Sequence, residues 1–470
     1  MDVNISGTFS RLLETERRLN RTQIQLELLQ NDLEEKAKDG EDFTVLIFST
    51  IIALMQCGFA FLEAGSVRSK NATNILLKNI IDCCISAVCY FAIGWALSFG
   101  EPASPFSGYG QFFFSGIERS KYAFWFLHFL FAANSSTIIS GALAERCQLS
   151  AYVIFCIIFT TIIYPPIAHW VWAPVGWLRN GPMGVRFMDF AGSGAVHLVG
   201  GVCGLVGAKI LGPRIGRFRE GTKSSPDMKG HSVPFAMLGC FILIFGFFAF
   251  NGASAVEQGG HITALCMVNT MMSCTAGALL SLCVERVILK RKWSLLVTVN
   301  STLAAMVSSC AGCNELQPWA ACVVGGCATL TCMAVSNIVA NARIDDPLNV
   351  VAVHAGGGLV GLLTTPLLSI DVGILYNPAR YESYVTFVWN VVGALSIIAW
   401  CMALCVPLFL LLKRFDLLRV SAEVEVKGLD VYMHGEPAYP LAAYGHGWAG
   451  DSFSDDDKKW MQDWDGNRWF

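Results

Sequence analysis

The sequence predicts an all-α membrane protein of eleven transmembrane helices, built as two inverted five-helix repeats plus an eleventh helix, with the N-terminus outside and the C-terminus cytosolic. Three observations predict it. Of 470 residues, 54% are hydrophobic and only 15% charged, and the mean hydropathy is +0.50, values of an integral membrane chain rather than a soluble one with one anchor. From Phe43 onward, apolar runs of about twenty residues follow one another, each long enough to cross a bilayer. Finally, Asp189 to Leu205 (DFAGSGAVHLVGGVCGL) returns as Asp346 to Leu362 (DPLNVVAVHAGGGLVGL), both reading D-x5-A-V-H-x2-G-G-x2-G-L at a constant offset of 157.

In chain order, residues 1–42 are polar, carry no apolar core of a cleavable signal, and read as an extracellular N-terminal extension. Leu12, Leu19, Leu26 and Leu33 repeat every seven residues, so the stretch is expected to be helical, either as a solvated helix or as a coiled coil weakened by Glu16, Gln23 and Gln30. The membrane domain, 43–412, holds runs near 43–65, 75–98, 122–143, 149–172, 189–210, 233–254, 262–284, 294–311, 319–340, 348–368 and 385–412. Residues 413–470 form a cytosolic tail. Its end, with Asp455, Asp456 and Asp457 among Trp448, Trp460, Trp464 and Trp469, reads as a disordered or partner-binding segment.

Arginine and lysine set the orientation. Arg68 and Lys70, then Arg214, Arg217, Arg219, Lys223 and Lys229, then Arg286, Lys290, Arg291 and Lys292, then Arg343 fall in alternate loops. The positive-inside rule makes these loops cytosolic. Asn4 and Asn20, each in an N-x-S/T sequon, are then open to glycosylation. On this count Asp189 opens the fifth helix from outside and Asp346 the tenth from inside, so the halves are inverted, an arrangement that places sites near the midplane. A fainter echo joins GFAFLEAGS at Gly58–Ser66 to GFFAFNGAS at Gly246–Ser254.

His197 and His354 lie two helical turns inside apolar helices, where an ionisable group is costly and marks a functional site. Gly200/Gly204 and Gly357/Gly361 are GxxxG pairs expected to bring the two helices together. His128 and His169 have no repeat partner and read as structural. The 18 cysteines mostly sit singly in apolar runs as small hydrophobes; only Cys310-x-x-Cys313 has disulfide spacing, and no zinc set accompanies it. Neither a metal nor a cofactor is implied. The net charge of −3 says little about partners; no nucleic-acid partner is expected, and the absence of a Walker motif argues against a primary pump.

DFAGSGAVH, GALAER at Gly141–Arg146, PIAHWVW at Pro166–Trp172, FAFNGASA at Phe248–Ala255, DDP at Asp345–Pro347 and GLDVYMHGEPAY at Gly428–Tyr439 together resemble the ammonium transporter (Amt/Mep/Rh) family, specifically its Amt/Mep branch, over about residues 43–440. The resemblance implies a plasma-membrane homotrimer, one pore per protomer, that moves ammonium, ammonia and methylammonium and is not an enzyme. Trp172 and Ser254 resemble the family's outer recruitment site, with Phe131 shared between that site and a gate formed with Phe250. His197 and His354 resemble its twin pore histidines, and Asp189 its structural and cation-supporting aspartate, with Asp346 as the repeat counterpart. Gly428 and Asp430 resemble a regulatory tail segment that in relatives packs under the neighbouring protomer. Tyr432 stands where plant relatives carry a phosphorylatable threonine, which puts that switch in doubt here and leaves cytosolic regulators of the tail open.

The residues support the same chemistry by themselves. Aromatic faces attract a cation and a serine oxygen accepts an N–H. An apolar passage then disfavours the charged form, so ammonium gives up a proton where potassium has none to give. Two histidines in contact hold complementary tautomers and share at most one extra proton, which they can hand inward. Duller readings stand beside these: Trp172 as an interfacial belt residue, Phe131 and Phe250 as core, Ser254 bonded back to its own helix, and Asp189 as a helix cap. Three other functions remain as alternatives: an ammonium sensor with little flux, an Rh-type ammonia/CO2 channel (disfavoured by Trp172 and Ser254), and an intramembrane hydrolase resting only on Ser193 and His197.

Overall fold

The computed structural model describes residues 5–218 and 228–440. Asn4, Arg219, Lys223 and the acidic, tryptophan-rich end of the tail lie outside the described residues. Among the described residues the chain is helical, joined by loops and two isolated β-bridges. In chain order the helices are α1 (Ile5–Ser66), α2 (Ser69–Phe99), α3 (Arg119–Ala142), α4 (Leu149–Trp172), α5 (Ser193–Leu211), α6 (Val233–Ala253), α7 (Gly260–Ile288), α8 (Leu295–Ser309), α9 (Pro318–Asn341), α10 (Val351–Leu368), α11 (Tyr381–Arg414) and the short α12 (Ala422–Lys427).

Ten of these helices are long and apolar enough to cross a membrane. The run near 294–311, expected as a crossing, forms a shorter apolar helix. Its helix α8 has 15 residues, about 22 Å at 1.5 Å per residue, and turns at Cys310 through Glu315 where Gly312 packs against Thr365. No helix boundary falls at Phe43. The heptad stretch and the first apolar run form one 62-residue helix, whose Leu12, Leu19, Leu26 and Leu33 are exposed.

The echo between Gly58–Ser66 and Gly246–Ser254 corresponds to a packed pair. α1 lies along α6, and a Cβ on Gly65 would sit 2.4 Å from the Ala236 nitrogen, while one on Gly239 would sit 2.3 Å from the Leu62 nitrogen. Small residues let backbones touch where no hydrophobic force joins helices in lipid. Polar side chains tie α1 to α4 from within: Asp82 accepts hydrogen bonds from Ser136 (2.6 Å), the Cys156 thiol (2.9 Å) and Thr137, and Glu63 accepts from Asn79 (2.7 Å) and Ser140 (3.1 Å).

One end of the bundle is closed by buried charge. Glu145 pairs with Arg68 and with Arg214 at 2.9 Å, and Asp345 pairs with Arg214 at 2.8 Å and Arg217 at 3.2 Å. Arg146 donates to the carbonyls of Ala142, Ala144, Gly212 and Asp345. GALAER and DDP therefore form one clamp across the loops after α1, α3 and α5 and before α10. Burial pushes the Glu145 and Asp345 carboxyls up, but their arginines and hydrogen bonds outweigh it and hold both below the ordinary range. The tail lies on this clamp: the Ile215 N–H donates to Glu425 at 2.7 Å, and Asp430 accepts from the Thr73 and Asn74 N–H groups at 3.0 and 2.8 Å, capping the first turn of α2. Tyr432 is exposed.

Candidate functional site

Each repeat builds its histidine in the same way. Asp189 Oδ2 accepts from the Gly194 and Ala195 N–H groups at 2.9 and 2.8 Å, and Asp346 Oδ2 accepts from Val351 at 2.8 Å. Both aspartates cap the turn that follows, and the other carboxylate oxygen of each is buried with no hydrogen-bond partner among the described residues. Three residues past each aspartate the backbone turns left-handed, at Gly192 (φ 101°) and Asn349 (φ 55°). A π-helical turn follows, Ser193–Leu198 in one copy and Val351–Gly356 in the other, and carries the histidine. Such turns widen a helix locally and recur at functional sites.

α5 and α10 then meet with His197 Nδ1 3.2 Å from His354 Nδ1, the rings 5.3 Å apart and 19° from parallel. One nitrogen must donate and the other accept. The glycines that permit this contact differ in part from the GxxxG pairs. A Cβ on Gly201 would lie 2.3 Å from the Ala355 nitrogen, and one on Gly358 would lie 2.4 Å from the Ser193 oxygen. Gly204 and Gly361 add to the seam against Val350 and Ser193, whereas Gly200 faces Ile138 and Gly357 faces Ala304. The seam is made by the middle glycine of each motif because its face, one residue round, points at the other repeat.

A file of rings leads outward from the pair. His197 lies 5.4 Å from Phe247 and 5.8 Å from Phe250; Phe250 lies 4.2 Å from Phe131, and Phe131 5.7 Å from Trp172. Phe131 and Phe250 are buried and stand between Trp172 and His197 in this file of rings. The Trp172 indole N–H is held by the Asp189 carbonyl at 3.0 Å, which fixes the ring and leaves its face as the available surface. Ser254 sits one turn beyond Phe250 and donates to its carbonyl at 3.1 Å, so its oxygen lone pairs remain free to accept. His354 is flanked on its other side by Phe59 at 6.5 Å.

Phe247 and Phe59 were not singled out by sequence, because in a chain with 31 phenylalanines only the fold distinguishes them. His169 is bound as a structural residue, with Nδ1 and Nε2 each 2.7 Å from a carbonyl, those of Ser98 and Ser104. His128 is not so bound and packs against Trp172 and Phe131 at 5.3 and 5.5 Å. The Ser193 hydroxyl donates to the Val307 carbonyl at 2.6 Å while His197 bonds His354, so no nucleophile–base pair forms. Cys310 and Cys313 are both free thiols.

The model of the Ammonium Transporter Family matches residues 43–439. The chain belongs to the ammonium transporter family. It is 46% identical over 430 residues to the putative ammonium transporter 1 of Caenorhabditis elegans, covering 86% of this chain and 80% of that one. The ammonium transporter Amt2 of Archaeoglobus fulgidus is 32% identical, covering 87% and 90%. Among solved structures, a protein named Sensor Amt Protein superposes with a TM-score of 0.80 at 30% identity over 85% of this chain and 100% of its own, and Saccharomyces cerevisiae Mep2 with 0.73 at 26% over 82% and 89%. Both curated relatives are named as transporters and not as enzymes.

Proposed function

We propose that this ammonium transporter family member recruits ammonium at Trp172, Ser254 and Phe131, strips one proton at the Phe131/Phe250 gate, and conducts ammonia past His197 and His354. The observation that carries the reading is the histidine pair at 3.2 Å with Phe250, itself 4.2 Å from Phe131, lying 5.8 Å from His197. An aromatic mouth stabilises a cation, and the apolar gate disfavours it, so the species that continues is the neutral one. The paired imidazoles then offer ammonia one donor and one acceptor, and their single shared proton gives the released proton a route inward, making transport electrogenic. Asp189 and Asp346 hold the histidine helices and place a carboxylate oxygen near each mouth.

The protein sits as a multi-pass homotrimer in the plasma membrane, with residues 1–42 outside, 43–412 as the conducting unit and 413–470 as a cytosolic regulatory tail acting through Gly428, Asp430 and Tyr432. Supporting this orientation, Arg68, Arg214 and Arg217 gather with the tail at the end opposite Trp172. Asn20 is exposed on α1, within the stretch assigned to the outside, in reach of glycosylation there. The decisive test is the current evoked by ammonium in voltage-clamped cells, beside a form with His197 and His354 both changed to alanine. Saturable current with ammonium and none with potassium, lost or unselective in the double variant, is the expected result. A second reading, an ammonium sensor with little flux, is favoured by the likeness to the Sensor Amt Protein; surface-expressed wild type carrying neither current nor labelled methylammonium would select it.

A further inference from the structure

Among the described residues, the buried imidazole of His128 on α3 has no hydrogen-bond partner. It is 5% exposed, and its Nδ1 is enclosed with no hydrogen bond. The contrast with His169, whose two nitrogens each meet a carbonyl, shows that the fold can satisfy a buried histidine nearby. The His128 ring is caged by aromatic rings, with centroids 4.2 Å from Phe124, 4.4 Å from Phe99, 5.3 Å from Trp172 and 5.5 Å from Phe131. A phenylalanine would fill that cage without stranding a nitrogen, so packing alone gives no reason for an imidazole where buried polar atoms are normally paired. Two walls of the cage, Trp172 and Phe131, are the residues assigned above to receive ammonium.

We propose that His128 is a further substrate-contacting residue of the outer vestibule: its unprotonated ring nitrogen accepts one N–H of ammonium while the faces of Trp172 and Phe131 stabilise the charge and Ser254 accepts another. A neutral imidazole always keeps one such lone pair, and a small N–H cation is the chemistry that satisfies it. The ring thereby adds a count of N–H donors to a site that aromatic faces alone would read only by charge. Ammonium brings four such donors, methylammonium three and potassium none. This assignment rests on the transport reading of the same mouth.

The test uses the full chain in voltage-clamped cells, titrated with ammonium chloride and separately with methylammonium chloride. His128→Phe keeps a ring in the cage and removes the acceptor, His128→Met does so with a flexible chain, and His128→Gln restores an acceptor. His128→Phe and His128→Met are expected to raise the half-saturating ammonium concentration about tenfold, the value of one hydrogen bond to a charged group, with a smaller change in maximal current. His128→Gln is expected to return to within about twofold of wild type, and the preference for ammonium over methylammonium to shrink only in the Phe and Met forms. Wild-type half-saturation in either apolar variant overturns the assignment, as does a glutamine variant as impaired as they are. If His128→Phe does not reach the surface, the comparison of Met with Gln decides. A silent wild type at the surface instead removes the transport reading, and this assignment falls with it.

Discussion

The two repeat copies use different residues to make the same backbone and the same backbone to make different surroundings. Gly192 and Asn349 occupy equivalent positions and both are left-handed, although only the second carries a side chain. Glycine pays no Cβ penalty there, and asparagine is the side chain that tolerates it best. The histidines these turns deliver are not equivalent. His197 is 1% exposed and lies against Phe247 and Phe250, whereas His354 is 7% exposed with Phe59 its other ring neighbour. A duplicated scaffold thus supplies one histidine against Phe247 and Phe250 and one against Phe59.

The largest expected effect breaks that asymmetry directly. His197→Ala should cut ammonium current by about tenfold or more, the scale of one lost hydrogen bond to the permeant species, and His354→Ala by less. Equal losses in voltage clamp would mean that the pair works as one unit irrespective of its surroundings. Next in size are the glycines of the seam. Gly201→Ala and Gly358→Ala each push a Cβ into the backbone of the other repeat, and both should destabilise by about 1–3 kcal/mol through overpacking. Thermal unfolding of the detergent-purified protein reads this, with Gly40→Ala, where nothing lies within 4 Å, as the reference. A large difference between the two would show that the seam is not symmetric.

Smaller effects sharpen the comparison of the turns. Gly192→Ala should cost about 1 kcal/mol or more, because it forces a Cβ into a left-handed residue that lacked one, whereas Asn349→Gly relieves the turn but loses the hydrogen bond that the Ser336 hydroxyl donates to the Asn349 side chain at 2.9 Å, leaving a smaller net cost. The same unfolding assay checks both.

The smallest concerns a third capping aspartate outside the repeat. Burial raises the Asp430 carboxyl from its ordinary 3.8 to about 6, against the N–H groups of α2. A carboxyl raised on docking favours the docked tail while protonated, so docking should weaken as pH rises from about 4 to about 6 and level off above. The clamp carboxyls Glu145 and Asp345 are lowered and have the opposite sign: their contribution is full above the ordinary carboxylate range and is lost as pH falls below it. Limited proteolysis of the tail across this range separates the two, and Asp430→Asn should abolish only the upper transition.

Much of this was legible in the chain because it follows from local composition and from repetition. Apolar runs long enough to span, polar loops between them and a motif recurring at an offset of 157 are properties of neighbouring residues, and they determined the membrane class, the helices and the two histidines. Tertiary contact decided the rest. Which glycine of each motif meets the other repeat, that α8 stops after 15 residues, that α1 runs unbroken from the polar extension into the membrane, and that Phe247, Phe59 and His128 join the file of rings all depend on segments distant in sequence. The physical reason is that side-chain pattern reports which face of a helix avoids water, but in lipid most faces are apolar, and only the packed neighbour determines what each residue touches.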